Sequence, residues 1–184
     1  MVSQRALALV ERVPHGGPEA SLGFAALQAL LPLAPDRWVE VNADRALGRG
    51  CAGKRVAVVG RFNFSSALRS RAASVSVIEL DPRQGESAAQ HACDILPQSD
   101  LIVINGMALV NRTREGLLAM CPPRSQVALV GPSARLSEVL FGYGIGPLCG
   151  GYVERPQRVM AGIRLEANLR QVHHRGTRRV TLER

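Results

Sequence analysis

The sequence predicts an α/β protein: an open, mostly parallel sheet with helices on both faces, plus a short helical N-terminal segment. Two observations carry that expectation. From Lys54 onward, short apolar runs alternate regularly with segments of helical spacing. The centres of these runs, such as VAVV in KRVAVVG and LIVI in DLIVING, are apolar at every position instead of at every second residue, as strands covered on both faces are. A third observation bounds the size: 184 residues, 46% apolar and 21% charged, suffice for a packed core and exclude global disorder.

Residues 1–53 hold two helical stretches, SQRALALVERV and EASLGFAALQALL, separated by the turn segment PHGGP, then WVEVN as a short strand or extended linker. This segment is too small for a core of its own and is expected to lie against the sheet. Residues 54–170 form the sheet domain. Its strands are KRVAVVG (54–60), SVSVIEL (74–80), DLIVING (100–106), QVALVG (126–131) and a weaker PLCGGYVE (147–154). The intervening helices are FSSALRSRAA with Asn63 or Ser65 as cap, ESAAQHACDIL ended by Pro97, and NRTREGLLAMC with Asn111 or Thr113 as cap. ARLSEVLFGYG (134–144), with Ser133 as its cap, and PQRVMAGIRLEANLR complete the set. Residues 171–184 read as a basic C-terminal tail. The strand order is open at this point.

The net charge of +8 is unevenly placed. Residues 155–184 carry eight arginines against two acids, while residues 1–154 carry fifteen basic and thirteen acidic residues. A basic end on a near-neutral body is a solvated terminus more often than a recognition element, and aromatics at 4% leave little for base stacking. Nucleic acid is therefore not the expected partner. No apolar run approaches the ~20 residues of a membrane span, and the N-terminus lacks a signal-peptide cleavage pattern. A cytoplasmic protein is expected. The four cysteines contain no CxxC pair and read as small buried hydrophobes.

In open α/β sheets, ligands bind beyond the carboxyl ends of the strands, where the strand order reverses. That rule selects Gly60, Arg61, Phe62, Asn63 and Phe64 after the first strand, and Glu79 after the second. It adds Asn105, Gly106, Asn111 and Thr113 after the third, and Gly131, Pro132 and Ser133 after the fourth. The first loop, VVGRFNFSS, lacks the later glycines that let a backbone approach a pyrophosphate, so NAD and FAD are disfavoured. Arg61 offers a guanidinium fork to carboxylate or phosphate, or is simply solvated. Glu79 stands where ribose-binding acids stand, with Asp81 two positions on. Gly131-Pro132-Ser133 forms a turn suited to a carboxylate. Asn111 and Thr113 have a competing role as helix caps.

His15, in the PHGGP turn, and Glu79 are the candidate metal ligands. His91 and Cys93 lie two apart and share no helix face, and His173-His174 fall in the basic end. No Ser/His/Asp pairing and no GxSxG string is present, so no catalytic residue is assigned and enzymatic activity is left open.

The strings VAVVGRFNF, VIELDPRQGE, ILPQSDLIVINGMALVNRT and LVGPSARLSEVLFGYGI resemble the putative heavy-metal chelation family of bacteria and archaea. That family carries a VGxFPF-like first loop, an ITGTALVNGT-like third loop and a GPSTPLSPxLFxYG-like fourth loop. The resemblance spans roughly residues 50–155, and EASLGFAALQALL resembles the segment that enters the domain. It implies a Rossmann-like domain over residues 54–170, preceded in fuller members by an enolase N-terminal-like domain, with a metal-chelating cleft between the two. Little of that first domain is visible in this sequence. The resemblance then implies a homo-oligomer, such as a homodimer, or a partner chain that completes the cleft.

Several positions depart from the family pattern: Asn63 for proline, Arg61 for histidine, Met107 and Arg112 for small residues, Ala134-Arg135 for Thr-Pro. The added arginines at 61, 112 and 135 lead to the expectation of an anionic metabolite or a metal chelate, with a transition-metal ion as the cofactor that chelation would imply. Two other classes are open: a group-transfer enzyme using a nucleoside cofactor such as S-adenosylmethionine, and a nucleic-acid or protein adaptor working through the Arg-rich C-terminus.

Overall fold

A computed structural model describes residues 2–11 and 17–184. A helical pair, α1 (Val2–Val10) and α2 (Gly17–Leu30), packs together ahead of β1 (Trp38–Val39) and α3 (Ala43–Gly50). The alternating body follows: β2 (Arg55–Val59), α4 (Ser65–Arg69), β3 (Ser74–Glu79), β4 (Ser87–Ala88), α5 (Ala92–Ile95) and β5 (Leu101–Asn105). It continues with α6 (Met107–Val110), α7 (Arg114–Ala119), β6 (Gln126–Val130), β7 (Ile145–Val153), α8 (Pro156–Arg164), α9 (Leu169–Gly176) and β8 (Thr177–Leu182).

The strands form one eight-stranded sheet in the order β1-β8-β7-β6-β5-β2-β3-β4. From β4 to β7 every pairing is parallel; β8 runs antiparallel between β7 and β1. The chain winds from β2 outward to β4, then returns to the other side of β2 and winds outward again. The reversal therefore falls between β2 and β5.

The expected parallel strands are present, and their burial explains their composition. Along β5, Leu101 and Val103 enter the apolar cluster on one face while Ile102 and Ile104 enter the cluster on the other. All four are at most 1% exposed. A strand covered on both sides has no polar face to show, so it reads as a continuous apolar run. Cys51 and Cys149 belong to this core, and burial pushes the Cys149 thiol up to about 11, leaving it protonated. Cys93, in contrast, is exposed.

The structure departs from the sequence reading in four places. The segment 86–96 is not one helix: β4 adds a strand at the sheet edge, a 3-10 turn follows at Ala89–His91, and α5 is a single turn. The segment 134–144 is extended at first, because Ala134, Leu136 and Ser137 are all drawn into the interior, and it coils only as a 3-10 helix at Glu138–Tyr143. Neither Asn63 nor Ser65 caps α4, whose N-cap position is Phe64. PQRVMAGIRLEANLR splits into two helices at Glu166, which adopts φ +54. α9 then starts with a capping box in which Asn168 accepts from the Gln171 N–H and Gln171 from the Asn168 N–H.

The basic end is a fifth departure and the largest. Residues 171–176 complete α9, and 177–182 form β8 inside the sheet. Val180, Thr181 and Leu182 are buried, while Arg178 and Arg179 lie at the exposed end of the same strand. Arg178 ties that end to Glu40 (2.8 Å) and Glu154 (3.5 Å), and the Thr181 hydroxyl donates to the Val41 carbonyl (2.8 Å). Truncating Leu182, which is 0% exposed, should therefore behave as a core deletion. Leu182→Ala is expected to destabilise the protein by about 2–4 kcal/mol in urea unfolding, whereas a solvated tail would give a loss near zero.

Candidate functional site

The crevice between β2 and β5 is built by three glycines around one asparagine. After β2 the chain turns at Gly60, with φ +103 and its N–H donating to the Ile78 carbonyl (3.0 Å). A Cβ on Gly60 would lie 2.8 Å from the Cβ of Asn105, so only glycine lets the two strand ends stand side by side. On the other flank Gly131, at φ +124, would bring its Cβ to 3.5 Å from the Asn105 Oδ1. Asn105 thus fills the reversal point. Its Oδ1 accepts from the Met107 N–H (3.0 Å), while its Nδ2 has no partner among the described residues. A Cβ on Gly106 would meet the Ser133 carbonyl carbon at 2.7 Å, which shows how closely the loop after β6 rests on the one after β5.

Backbone donors line this crevice. The N–H groups of Arg61, Phe62, Asn63 and Phe64 find no acceptor among the described residues, and neither does that of Ser133. Phe62 and Phe64 stack on each other at 4.9 Å and pack on the apolar cluster beside β2. Glu79 ends β3, one strand away from Gly60; among the described residues its carboxylate accepts only from the adjacent Leu80 N–H (3.3 Å) and forms no ion pair.

The arginines have separate fates. Arg61 is already engaged: its Nε and Nη2 donate to the two oxygens of Glu86 at 3.0 and 2.7 Å, and Nη2 also reaches the Asp81 carbonyl. Glu86 accepts further from the Arg83 N–H (2.9 Å). This clamp raises the Arg61 pKa and brings Glu86 down to about 2. Arg135 is half-buried and donates to the Leu31 carbonyl (2.6 Å) beyond α2; its buried Nε lacks a partner, and desolvation lowers its pKa. Arg112 is exposed and unpaired, with φ +61.

Sequence reasoning missed Glu86, which it placed inside a helix. Asn111 and Thr113 are in one another's reach and not at the crevice floor. With its nitrogen turned toward α6, the Asn111 amide donates to Met107 O (2.9 Å), Ala108 O (3.2 Å) and the Thr113 hydroxyl (2.8 Å). Thr113 occupies the N-cap position of α7 without a side-chain capping bond. Ser133 caps no helix: its hydroxyl lies 3.4 Å from the Met107 sulfur and its carbonyl accepts from Gln28 of α2 (3.0 Å). Pro132 is exposed in the same turn, closed by the Ala134 N–H on the Gly131 carbonyl.

His15 lies outside the described residues. Among those described, no three His, Cys, Asp or Glu side chains come together as a metal would require. Glu79 alone does not make a site for a bare transition-metal ion. No described helix is long and apolar enough to cross a membrane. A cavity of about 290 Å3 opens at the other end of the central strands, where β5 and β6 begin, among Leu47, Gln126, Pro147 and Glu183.

Comparison with known proteins settles the lineage. A family model named DUF364 and described as "Putative heavy-metal chelation" matches residues 47–182. The chain belongs to this family. A DUF364 protein of unknown function from Desulfitobacterium hafniense DCB-2 shares 26% identity, with a TM-score of 0.72 over 90% of this chain and 68% of that one. Another DUF364 protein of unknown function, from Pyrococcus horikoshii, shares 18% identity and the same fold, with a TM-score of 0.84 over 97% of this chain and 75% of that one. No curated protein matches the chain.

For this DUF364 member the Arg61–Glu86 clamp makes a pH prediction. The folded pKa of Glu86 lies below its ordinary value of 4.5, so the clamp's stabilisation is present above that value and is lost as the pH falls toward about 2. The urea midpoint of the wild type should fall across that window more steeply than that of Glu86→Gln. Parallel curves would show that the clamp contributes nothing.

Proposed function

We propose that the chain binds a small anionic metabolite, free or as a metal chelate, in the crevice between β2 and β5. One observation carries this reading: unpartnered donors, the N–H groups of residues 61–64 and 133 and the Asn105 Nδ2, gather at the point where the sheet reverses. Free amides at such a place favour a carboxylate or another oxyanion. Glu79, one strand from Gly60 on the side away from β5, accepts from a hydroxyl or amine of the same molecule. With neighbouring strands about 4.8 Å apart, Glu79 and Asn105 stand about 10 Å from each other, which suits a small polyfunctional acid.

The donor set favours a metal that arrives with its own ligands over a bare ion, since the described residues offer Glu79 and amides and no cluster of soft or acidic side chains. The loop after β2 has Phe62 and Phe64 and no glycine beyond Gly60, where a pyrophosphate-binding loop needs further glycines, which argues against NAD and FAD. The exposed Leu22, Leu30 and Leu33 around α2 support the further reading that a second copy of this chain, or another chain, covers this side of the crevice. Leu22→Glu should then lower the mass found by light scattering; an unchanged mass would remove α2 from the contact.

Binding is tested by thermal shift with a panel of di- and tricarboxylates, each with and without a divalent transition metal. At least one is expected to raise the wild-type melting temperature in a saturable manner. The shift should be lost in Asn105→Asp, which keeps an acceptor for Met107 but loses the Nδ2 donor, and reduced in Glu79→Gln. Equal shifts in all three proteins, or none in the wild type, would overturn the assignment.

A further inference from the structure

We propose that Arg112 anchors a second ligand site, a small apolar pocket beneath α2 that takes a short aliphatic carboxylate. The pocket encloses about 160 Å3. Its apolar wall comes from Phe24 and Leu27 of α2 and from Ala108 and Leu109 of α6, with Arg112 and the Arg114–Glu115 pair on its polar side. A liquid water occupies about 30 Å3, so the space equals roughly five waters, the bulk of a chain of about four to six carbons. None of these residues belongs to the β2–β5 crevice, so the inference does not rest on the reading given above.

Arg112 carries the argument. Its φ of +61 places it in the left-handed region, which a residue with a Cβ rarely adopts. The turn is held from both sides, because Asn111 caps the end of α6 and also bonds Thr113, closing the chain around the residue between them. Asn111 and Thr113 are thus positioning residues. Strained backbone of this kind persists where its surroundings over-determine it, and it concentrates at ligand clamps.

What the strained turn presents is a free cation. Among the described residues the Arg112 guanidinium makes no ion pair and no hydrogen bond. The adjacent charges are already matched: Arg114 pairs with Glu115 (3.0 Å) and lies over the Tyr143 ring (5.3 Å). Glu115 is engaged by Arg114 through one oxygen and its side chain is turned largely to solvent. A single unpaired guanidinium beside an apolar slot selects an amphipathic acid, with the alkyl chain in the slot and the carboxylate on the fork.

The test is calorimetric titration of the full chain with hexanoate, with hexanol as the neutral comparator. Hexanoate is expected to bind saturably and hexanol about tenfold more weakly or worse, since one charge-assisted contact is at stake. Arg112→Gln should weaken hexanoate about tenfold and Arg112→Lys less than that, while Asn105→Asp should bind it as the wild type does. Arg112→Gly separates the two roles: it should lose binding like Arg112→Gln while its melting temperature rises, since glycine accepts this φ without strain. Absence of saturable hexanoate binding by the wild type would overturn the proposal. So would hexanol binding as tightly as hexanoate, or undiminished hexanoate binding by Arg112→Gln.

Discussion

The closeness of two loop backbones at Gly106 is the constraint on which the carboxyl-terminal end of this sheet depends. A side chain there would drive into the backbone at Ser133 and Ala134, so the loop after β6 can settle on the loop after β5 only because the methyl is missing. That contact sets the height of the 131–135 turn. The turn in turn offers the Ser133 carbonyl to Gln28 and carries Arg135 to the Leu31 carbonyl, and so fixes α2 over the edge. On the inner side it holds Gly131 against Asn105, which is lodged against Gly60. Three loops and one helix take their positions from one absent Cβ.

Seven arginines of this chain act as struts. Arg55 forks onto Asp100 where β2 and β5 begin, and Arg61 forks onto Glu86 where β2 ends. Arg69, Arg71, Arg124 and Arg135 donate to backbone carbonyls of neighbouring segments, and Arg178 joins Glu40 to Glu154. A guanidinium has five donors in a rigid plane and can stitch loops that have no other means of pairing. The part of the positive charge carried by Arg69, Arg71, Arg124 and Arg135 is thus built into the framework. Among the described residues, the unpartnered donors at the crevice are main-chain N–H groups and the Asn105 amide instead.

Legibility in the sequence followed burial. The central parallel strands could be read because both of their faces are covered, which leaves an unbroken apolar signature. β8 could not be read as a strand, because TRRVTL is half strand interior and half exposed end, and its arginines hide the alternation. The short helices α4 and α5 were over-extended because their ends are set by docking and not by capping side chains. Gly60, Asn105 and Gly131 were legible as residues at the carboxyl ends of the strands, and they meet where the sheet reverses. Glu86 was not, since its role depends on an arginine 25 positions earlier reaching across two strand ends. The turn at Asn111–Thr113 was legible as a local structure, but its left-handed centre is a property of φ that no composition displays.

The placement of β8 has a consequence for the order in which the molecule can be made. Strands β2 to β7 pair with neighbours that are close in the chain or already synthesised, so this part of the sheet can grow as the polypeptide emerges. β1 cannot. Its only neighbour is β8, and the Thr181–Val41 bond spans 140 positions. Until β8 inserts, the outer edge of β7 stands open from Leu148 to Val153, an unpaired template for another chain. The Trp38 ring, which comes to lie 5.1 Å from Tyr152, waits in solvent for the same event. One strand, β8, thus both covers the outer edge of β7 and anchors the N-terminal arm through β1.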